Sequence, residues 1–318
     1  MRTCAHVLGK PSLRLIDALL DEPAPSISAL ADRVDRDQSH VTRLVNSLEA
    51  KDTVETTPTG KQSAKRVSLG ASPVVDHYRT LAYEQHHVDF SDLLTTNVLR
   101  VSWFLSDWTQ PATMENHLDI SSRAITEALQ TLRERALVEQ DGWEYQIANG
   151  FEPLVALAEA ATYAEWKENI QEQPTAATLV WTSPAEALCV TTTAEPTLSD
   201  TWSETGTARF HEYDVELLLT DQRLWYTGHK RLTPERAVAQ SLMRDAGVRD
   251  VSYALLVAEK LESFDVEAFE THASWYDVTS AAVQAIETYL NTGELVGTVT
   301  PSEQEYQSLR EQYDIAQQ

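Results

Sequence analysis

The sequence predicts a helix-rich α+β chain: two tandem copies of a three-helix unit closed by a strand hairpin, then an α/β C-terminal domain. Three observations carry this. Apolar residues recur at spacings of three and four over residues 13–20, 27–34 and 41–48, and short strand-like runs follow. The same order of apolar positions returns 84 residues later. Beyond residue 173 the pattern changes, with strand runs first and capped helices after.

Leu13, Leu15, Ile16, Leu19 and Leu20 give the first helix its apolar stripe, and the prolines of Asp21-Glu-Pro-Ala-Pro25 stop it. Ser26 to Val34 reads as a second, short helix with Ile27, Leu30, Ala31 and Val34 inward, and Asp35-Arg36-Asp37 supplies the turn. Asp37 to Lys51 reads as the third helix. Val41, Leu44, Val45 and Leu48 share its inner face, and Gln38, Ser39, His40, Arg43 and Asn46 form its polar face. Short or forked donors and acceptors of this kind suit base edges and phosphates in a major groove. Val54–Gly60 and Ser63–Leu69 read as two strands around Thr59-Gly60, with Lys61, Lys65 and Arg66 at the tip. The order of helix, helix, polar-faced helix and basic hairpin resembles the winged helix-turn-helix regulators of the MarR type and their archaeal relatives, over roughly residues 10–70. That resemblance implies double-stranded DNA as partner. Gln38, Ser39, His40, Arg43 and Asn46 would face the groove, and Lys61, Lys65 and Arg66 would hold phosphates or reach the minor groove.

Residues 1–72 are thus expected to be the DNA-reading unit. Residues 73–90 should form a linker helix with Val74, Val75, Tyr78, Leu81 and Ala82 on one side. Two readings of it stay open: it pairs subunits, or it covers its own domain. Residues 91–150 are expected to be a second winged helix. A shift of 84 sets Leu15 on Leu99, Leu19 on Trp103, Leu30 on Met114, Val41 on Ile125, Val45 on Leu129, Leu48 on Leu132 and Val54 on Val138. Asp141-Gly142 would tip a shorter wing, with Trp143 and Tyr145 on its return strand. The surfaces differ: Ala124 and Glu127 replace His40 and Arg43, and the second wing lacks Lys and Arg. A structural or dimerising role is the expectation for this copy.

Residues 151–172 read as a bridging helix, 173–300 as the α/β domain, and 301–318 as a polar, loosely docked tail. Strands are expected at 178–182, 187–192, 213–219 and 223–226, the last two joined as a hairpin, with a polar loop over 193–207. Thr233 is an N-cap with Pro234 at the first helical position, helices follow near 250–262, 266–275 and 280–290, and Gly293 is a stop. Thr233-Pro-Glu-Arg-Ala and the helices after it resemble the C-terminal half of AbiEi-type antitoxins over about residues 210–292. That resemblance implies an alternative, an antitoxin that represses its own operon and neutralises a nucleotidyltransferase-like toxin.

The charge is −24, from 49 acidic and 25 basic residues, 7 of them lysine. This balance resembles proteins of salt-accumulating archaea, for which acidity is solvation. At molar salt the Debye length is about 3 Å, so the global charge hardly reaches a DNA partner. Its distribution is more telling. Residues 1–70 carry 10 basic and 9 acidic residues, +1, which leaves 15 basic and 40 acidic, −25, for the rest. A segment that keeps its cations while the rest sheds them is expected to meet phosphate.

Cys4 and Cys189 stand alone, which argues for a reducing compartment and against a thiolate metal site. No apolar run approaches the roughly 18 residues of a membrane span, and no signal core opens the chain. The expectation is a cytoplasmic protein, not an enzyme, with no metal, no cofactor and no membrane partner, acting as a homodimeric repressor. Asp214-Val-Glu-Leu217 offers an enzymatic alternative: on a strand, Asp214 and Glu216 would face one side, as the metal-binding pair of a nucleotidyltransferase does. The Gly-Ser helix start that such enzymes carry is missing. His86, His87, His211, His229 and His272 have no ligand spacing. Trp181, Trp202, Trp225, Tyr226 and Trp275 read as core, with a ligand pocket as the alternative.

Overall fold

A computed structural model describes residues 8–22, 24–59, 65–193, 195–217, 222–243, 246–261 and 263–314. The chain is α+β and divides into two compact units. The first is residues 1–169 with 182–185, the second 170–181 with 186–318.

The first unit begins with α1 (Lys10–Asp21), α2 (Ile27–Arg33) and α3 (Gln38–Glu49). Ser26 caps α2, its hydroxyl accepting from the Ala29 amide at 3.2 Å. Asp35 takes a left-handed φ of 51°, which turns the chain from α2 into α3. An antiparallel hairpin follows, β1 (Val54–Pro58) and β2 (Lys65–Leu69), in register from Val54 opposite Leu69 to Pro58 opposite Lys65. Gly70 is required here: a Cβ would sit 2.2 Å from the Asp52 carbonyl oxygen. Leu15, Leu19, Leu30, Val41, Val45, Leu48, Val54 and Val67 pack into one core. Each large side chain buried there contributes roughly 1.5–3 kcal/mol. Next, α4 (Pro73–Glu84) buries Val74, Val75, Tyr78 and Leu81, and the Tyr78 hydroxyl donates to Asp17 of α1 at 2.6 Å. It covers its own domain, one of the two readings open for it.

After the short α5 (Phe90–Leu93) the chain repeats as α6 (Thr96–Ser102), α7 (Pro111–His117), α8 (Ser122–Arg133), β3 (Val138–Asp141) and β4 (Glu144–Ile147). Ile27 and Pro111, Gln38 and Ser122, Val54 and Val138 open their elements 84 positions apart. Backbone details repeat at the same separation. Asp52 and Ala136 both take a φ of 56°. The Thr53 amide donates to Leu48 O at 2.9 Å, and the Leu137 amide to Leu132 O at 3.0 Å. The first helix of each copy corrects this register. Leu99 and Trp103, expected to match Leu15 and Leu19, are only half-buried. Burial instead matches at a separation of 86, Leu15 with Val101 and Leu19 with Leu105, although the next helices still start 84 positions apart. Trp143 is a second correction. It lies on the turn beside Gly142, not on the return strand, and is 84% exposed. Tyr145 is on β4 as expected. The long α9 (Glu152–Gln171) closes the unit, burying Leu154, Val155, Leu157 and Ala158.

The second unit holds a four-stranded sheet in the order β5 (Ala177–Thr182), β6 (Glu186–Thr191), β8 (Arg223–Gly228), β7 (Ser203–Thr205). Both β6 and β7 pair antiparallel with β8. The strand expected at 213–219 is not formed over its described part. A 3-10 helix, Gly206–Tyr213, ends at Asp214 with a φ of 57°, and residues 215–217 lie outside any strand. A left-handed residue cannot continue a pleated strand, so β8 takes β7, from within the expected polar loop, as its neighbour. Helices α10 (Pro234–Ser241), α11 (Val248–Lys260), α12 (Val266–Trp275) and α13 (Ser280–Thr292) follow, and Gly293 stops the last with a φ of 75°. Over its described residues, 301–314, the tail is not loosely docked. Its α14 (Glu303–Gln312) starts on a capping box of Ser302 and Glu305 and buries Tyr306. Arg310 reaches Glu259 of α11 at 3.0 Å. No described helix is long and apolar enough to cross a membrane.

Candidate nucleic-acid interface

Successive residues of α3 point about 100° apart around its axis, so its buried side chains fix where the others face. Val41, Val45 and Leu48 are buried. Opposite them lie Ser39, Arg43, Asn46 and Ser47, all exposed. The Arg43 Nε donates to Ser39 O at 3.4 Å and Thr42 Oγ1 to Gln38 O at 2.8 Å, so both side chains lean on their own helix. Gln38 is exposed on the flank facing the hairpin. There Glu49 accepts from Thr56 of β1 at 2.5 Å. His40 departs from the expectation. It is half-buried on the opposite flank, facing α1.

That flank holds a hollow of about 140 Å³ lined by Lys10, Pro11, Arg14, Val34, Arg36, His40, Val41 and Leu44. Lys10 and Arg14, four apart on α1, present their charges side by side, and both meet Asp92 of α5, at 2.7 and 3.3 Å. Two cations one turn apart on the polar side of the first helix are the signal in the sequence for this hollow. On the hairpin, Lys65 and Arg66 are exposed. Lys65 lies 3.9 Å from Glu49, and Arg66 donates to Ala24 O at 3.2 Å. Lys61 and the hairpin tip lie outside the described residues. The site therefore brings Ser39, Arg43 and Asn46 together on one face, sets Gln38, Lys65 and Arg66 to one side, and sets His40 to the other.

On the second copy the corresponding face closes on itself. Arg123 pairs with Glu127 at 2.7 Å, Arg133 donates to Gln140 at 3.1 Å, and Gln130 to Glu134 at 2.8 Å.

The second unit contains a polar cluster that the sequence did not reveal. Glu186, 1% exposed, accepts from Arg236 at 2.8 Å, Tyr226 at 2.8 Å and Trp275 at 2.6 Å. Gln240 donates to Tyr276 at 2.8 Å and accepts from Thr205. Burial, then the Glu186 charge, pushes the Tyr226 and Tyr276 phenols well above their usual range. His272 is held down to about 4 by burial and by the nearby Arg236 charge. The Thr233-Pro-Glu-Arg motif is absorbed by packing: Thr233 caps α10, Glu235 accepts from the Asp265 amide at 3.3 Å, and Arg236 meets Glu186. Trp202, Trp225 and Tyr226 are core. Trp181 packs edge-on against Trp275 and Tyr276 at 5.6 and 4.9 Å. With Asp214 left-handed and Glu216 off any strand, the paired carboxylates of the enzymatic alternative lose the strand that would align them. Among the described residues no group of three or more His, Cys, Asp or Glu is placed to hold a metal.

Two family models match separate parts of the chain. The model described as HVO_A0114 matches residues 7–71, which coincide with the three-helix unit and its hairpin. The model described as HVO_2833_C, C-terminal, matches residues 199–315, from β7 through α14. Both are families of haloarchaeal type, and the similarity points to a haloarchaeal origin. No curated protein and no solved structure matches.

Proposed function

We propose that the chain is a sequence-specific DNA-binding transcription regulator built on two tandem winged helices, acting in the cytoplasm as a homodimeric repressor. The observation that carries this reading is the exposed face of α3: Ser39, Arg43 and Asn46 point away from the core, in the one stretch of the chain that keeps its cations. In the major groove Arg43 would pair with the O6 and N7 of a guanine, and Asn46 with an adenine, at about 1–3 kcal/mol of discrimination each. Lys65 and Arg66 would hold the backbone from the hairpin side. Against Glu127 and its partner Arg123, a phosphate would meet a neutralised surface, so the second winged helix has a structural or dimerising part. The C-terminal unit would carry the signal, from a ligand or a partner protein.

The test compares binding of the full-length protein to its selected operator and to random duplex. Arg43→Ala should cost operator binding about 10-fold or more while leaving random binding nearly unchanged. Lys65→Ala should weaken both equally. Full operator selectivity in the Arg43→Ala protein would remove α3 as the reading element.

A further inference from the structure

The flank of α3 away from the hairpin gathers basic residues of its own. Lys10 and Arg14 come from α1, Arg36 from the turn before α3, and His40 from α3 itself, all around one hollow. A helix seated in a major groove about 12 Å wide has a sugar–phosphate backbone on each side. On the hairpin side the cations are partly committed, Arg66 to Ala24 O and Lys65 toward Glu49. On the other side Lys10 and Arg14 converge on one exposed carboxylate, Asp92. Two cations bridged by a surface carboxylate have the geometry that a phosphodiester oxygen would use.

Resting on the function proposed above, we infer that this hollow is a second backbone seat. Lys10, Arg14, Arg36 and His40 take a phosphate of the bound duplex, and Asp92 holds Lys10 and Arg14 while no duplex is present. Exposed ion pairs of this kind are weak, so a phosphate making charge-assisted bonds to the same cations displaces Asp92 readily. The duplex is then gripped on both sides of α3, chiefly through α1 and the turn. Affinity depends on release of an internal carboxylate as well as of counterions.

The experiment measures binding of the full-length protein to operator and to random duplex across a series of KCl concentrations. Lys10→Ala/Arg14→Ala should weaken both duplexes alike, about 10-fold, and lower the slope of log affinity against log salt by about 1.8, some 0.9 per lost contact. Asp92→Asn should tighten both several-fold. Arg36→Ala, which leaves the Asp92 pair intact, should lower the slope by about 0.9. Thermal melting of each variant checks that the unit still folds. Wild-type affinity and slope in the double variant and in Arg36→Ala would overturn the inference while leaving the DNA-binding reading in place, as would weaker binding by Asp92→Asn. A wild-type protein that binds no duplex would overturn both.

Discussion

Glu186 sits among three donors within 2.8 Å, one of them the guanidinium of Arg236, itself 4% exposed. Removing one charge of such a pair leaves the other buried and uncompensated, a loss of about 3–5 kcal/mol. Glu186→Gln should therefore lower the unfolding free energy of the C-terminal unit by that amount, seen as a lower urea midpoint, and leave the transition of the N-terminal unit in place. An unchanged midpoint would mean that the pair is not buried in solution. His272 gives the same cluster a pH signature. Its folded value, about 4, lies below the 6.5 of the unfolded chain, so the fold holds it neutral. The stability tied to this is complete above 6.5 and is lost as pH falls toward 4. The melting temperature of the C-terminal unit should fall through that window, and His272→Asn should flatten the fall. None of these partners was legible in advance. Glu186 lies 50 positions from Arg236 and 89 from Trp275, and no local period links them. The outward placement of Arg43 was legible, because helical spacing alone decides it.

At the scale of elements, helices were read closely wherever a cap or a stop marked them. Thr233 and Gly293 stand where expected, and α12 spans Val266–Trp275. The short strand β7 and the 3-10 helix were missed for a physical reason. Three residues give too few alternations to register, and the apolar run after Tyr213 imitates a strand that a left-handed Asp214 interrupts. The tail misled because α14 is polar along most of its length and docks through few side chains, Tyr306 and Arg310 among them. Tyr306→Ala should accordingly destabilise the C-terminal unit by about 3 kcal/mol or more, read from chemical denaturation. The repeat offers a sharper test. Ala136 holds a φ of 56° at the turn before β3, where an L-residue with a Cβ is strained by roughly 1–2 kcal/mol. Ala136→Gly should raise the stability of the N-terminal unit by about 1 kcal/mol, less the entropy that glycine adds to the unfolded chain. A loss of stability would show that the turn is not left-handed.

For the whole molecule, the division of charge falls inside the first structural unit, at the end of its first hairpin. A balance of +1 over residues 1–70 against −25 over the rest leaves the first three-helix unit as the part of the chain fit to approach a polyanion. The second copy keeps the backbone of the first, down to its paired left-handed turns, while its outward Arg123 is spent on Glu127. A second copy whose outward cation is paired is what a structural or dimerising role would show. If the protein reads DNA as a homodimer, its site is two half-sites whose centres lie a whole number of helical turns apart, about 10–10.5 base pairs for one turn. The most direct measurement is selection of bound duplexes from a random pool by the full-length protein, followed by sequencing. The account predicts enrichment of one inverted-repeat motif, lost when Arg43 is replaced by Ala. A bound pool with the composition of the input, at every salt concentration tried, would contradict it.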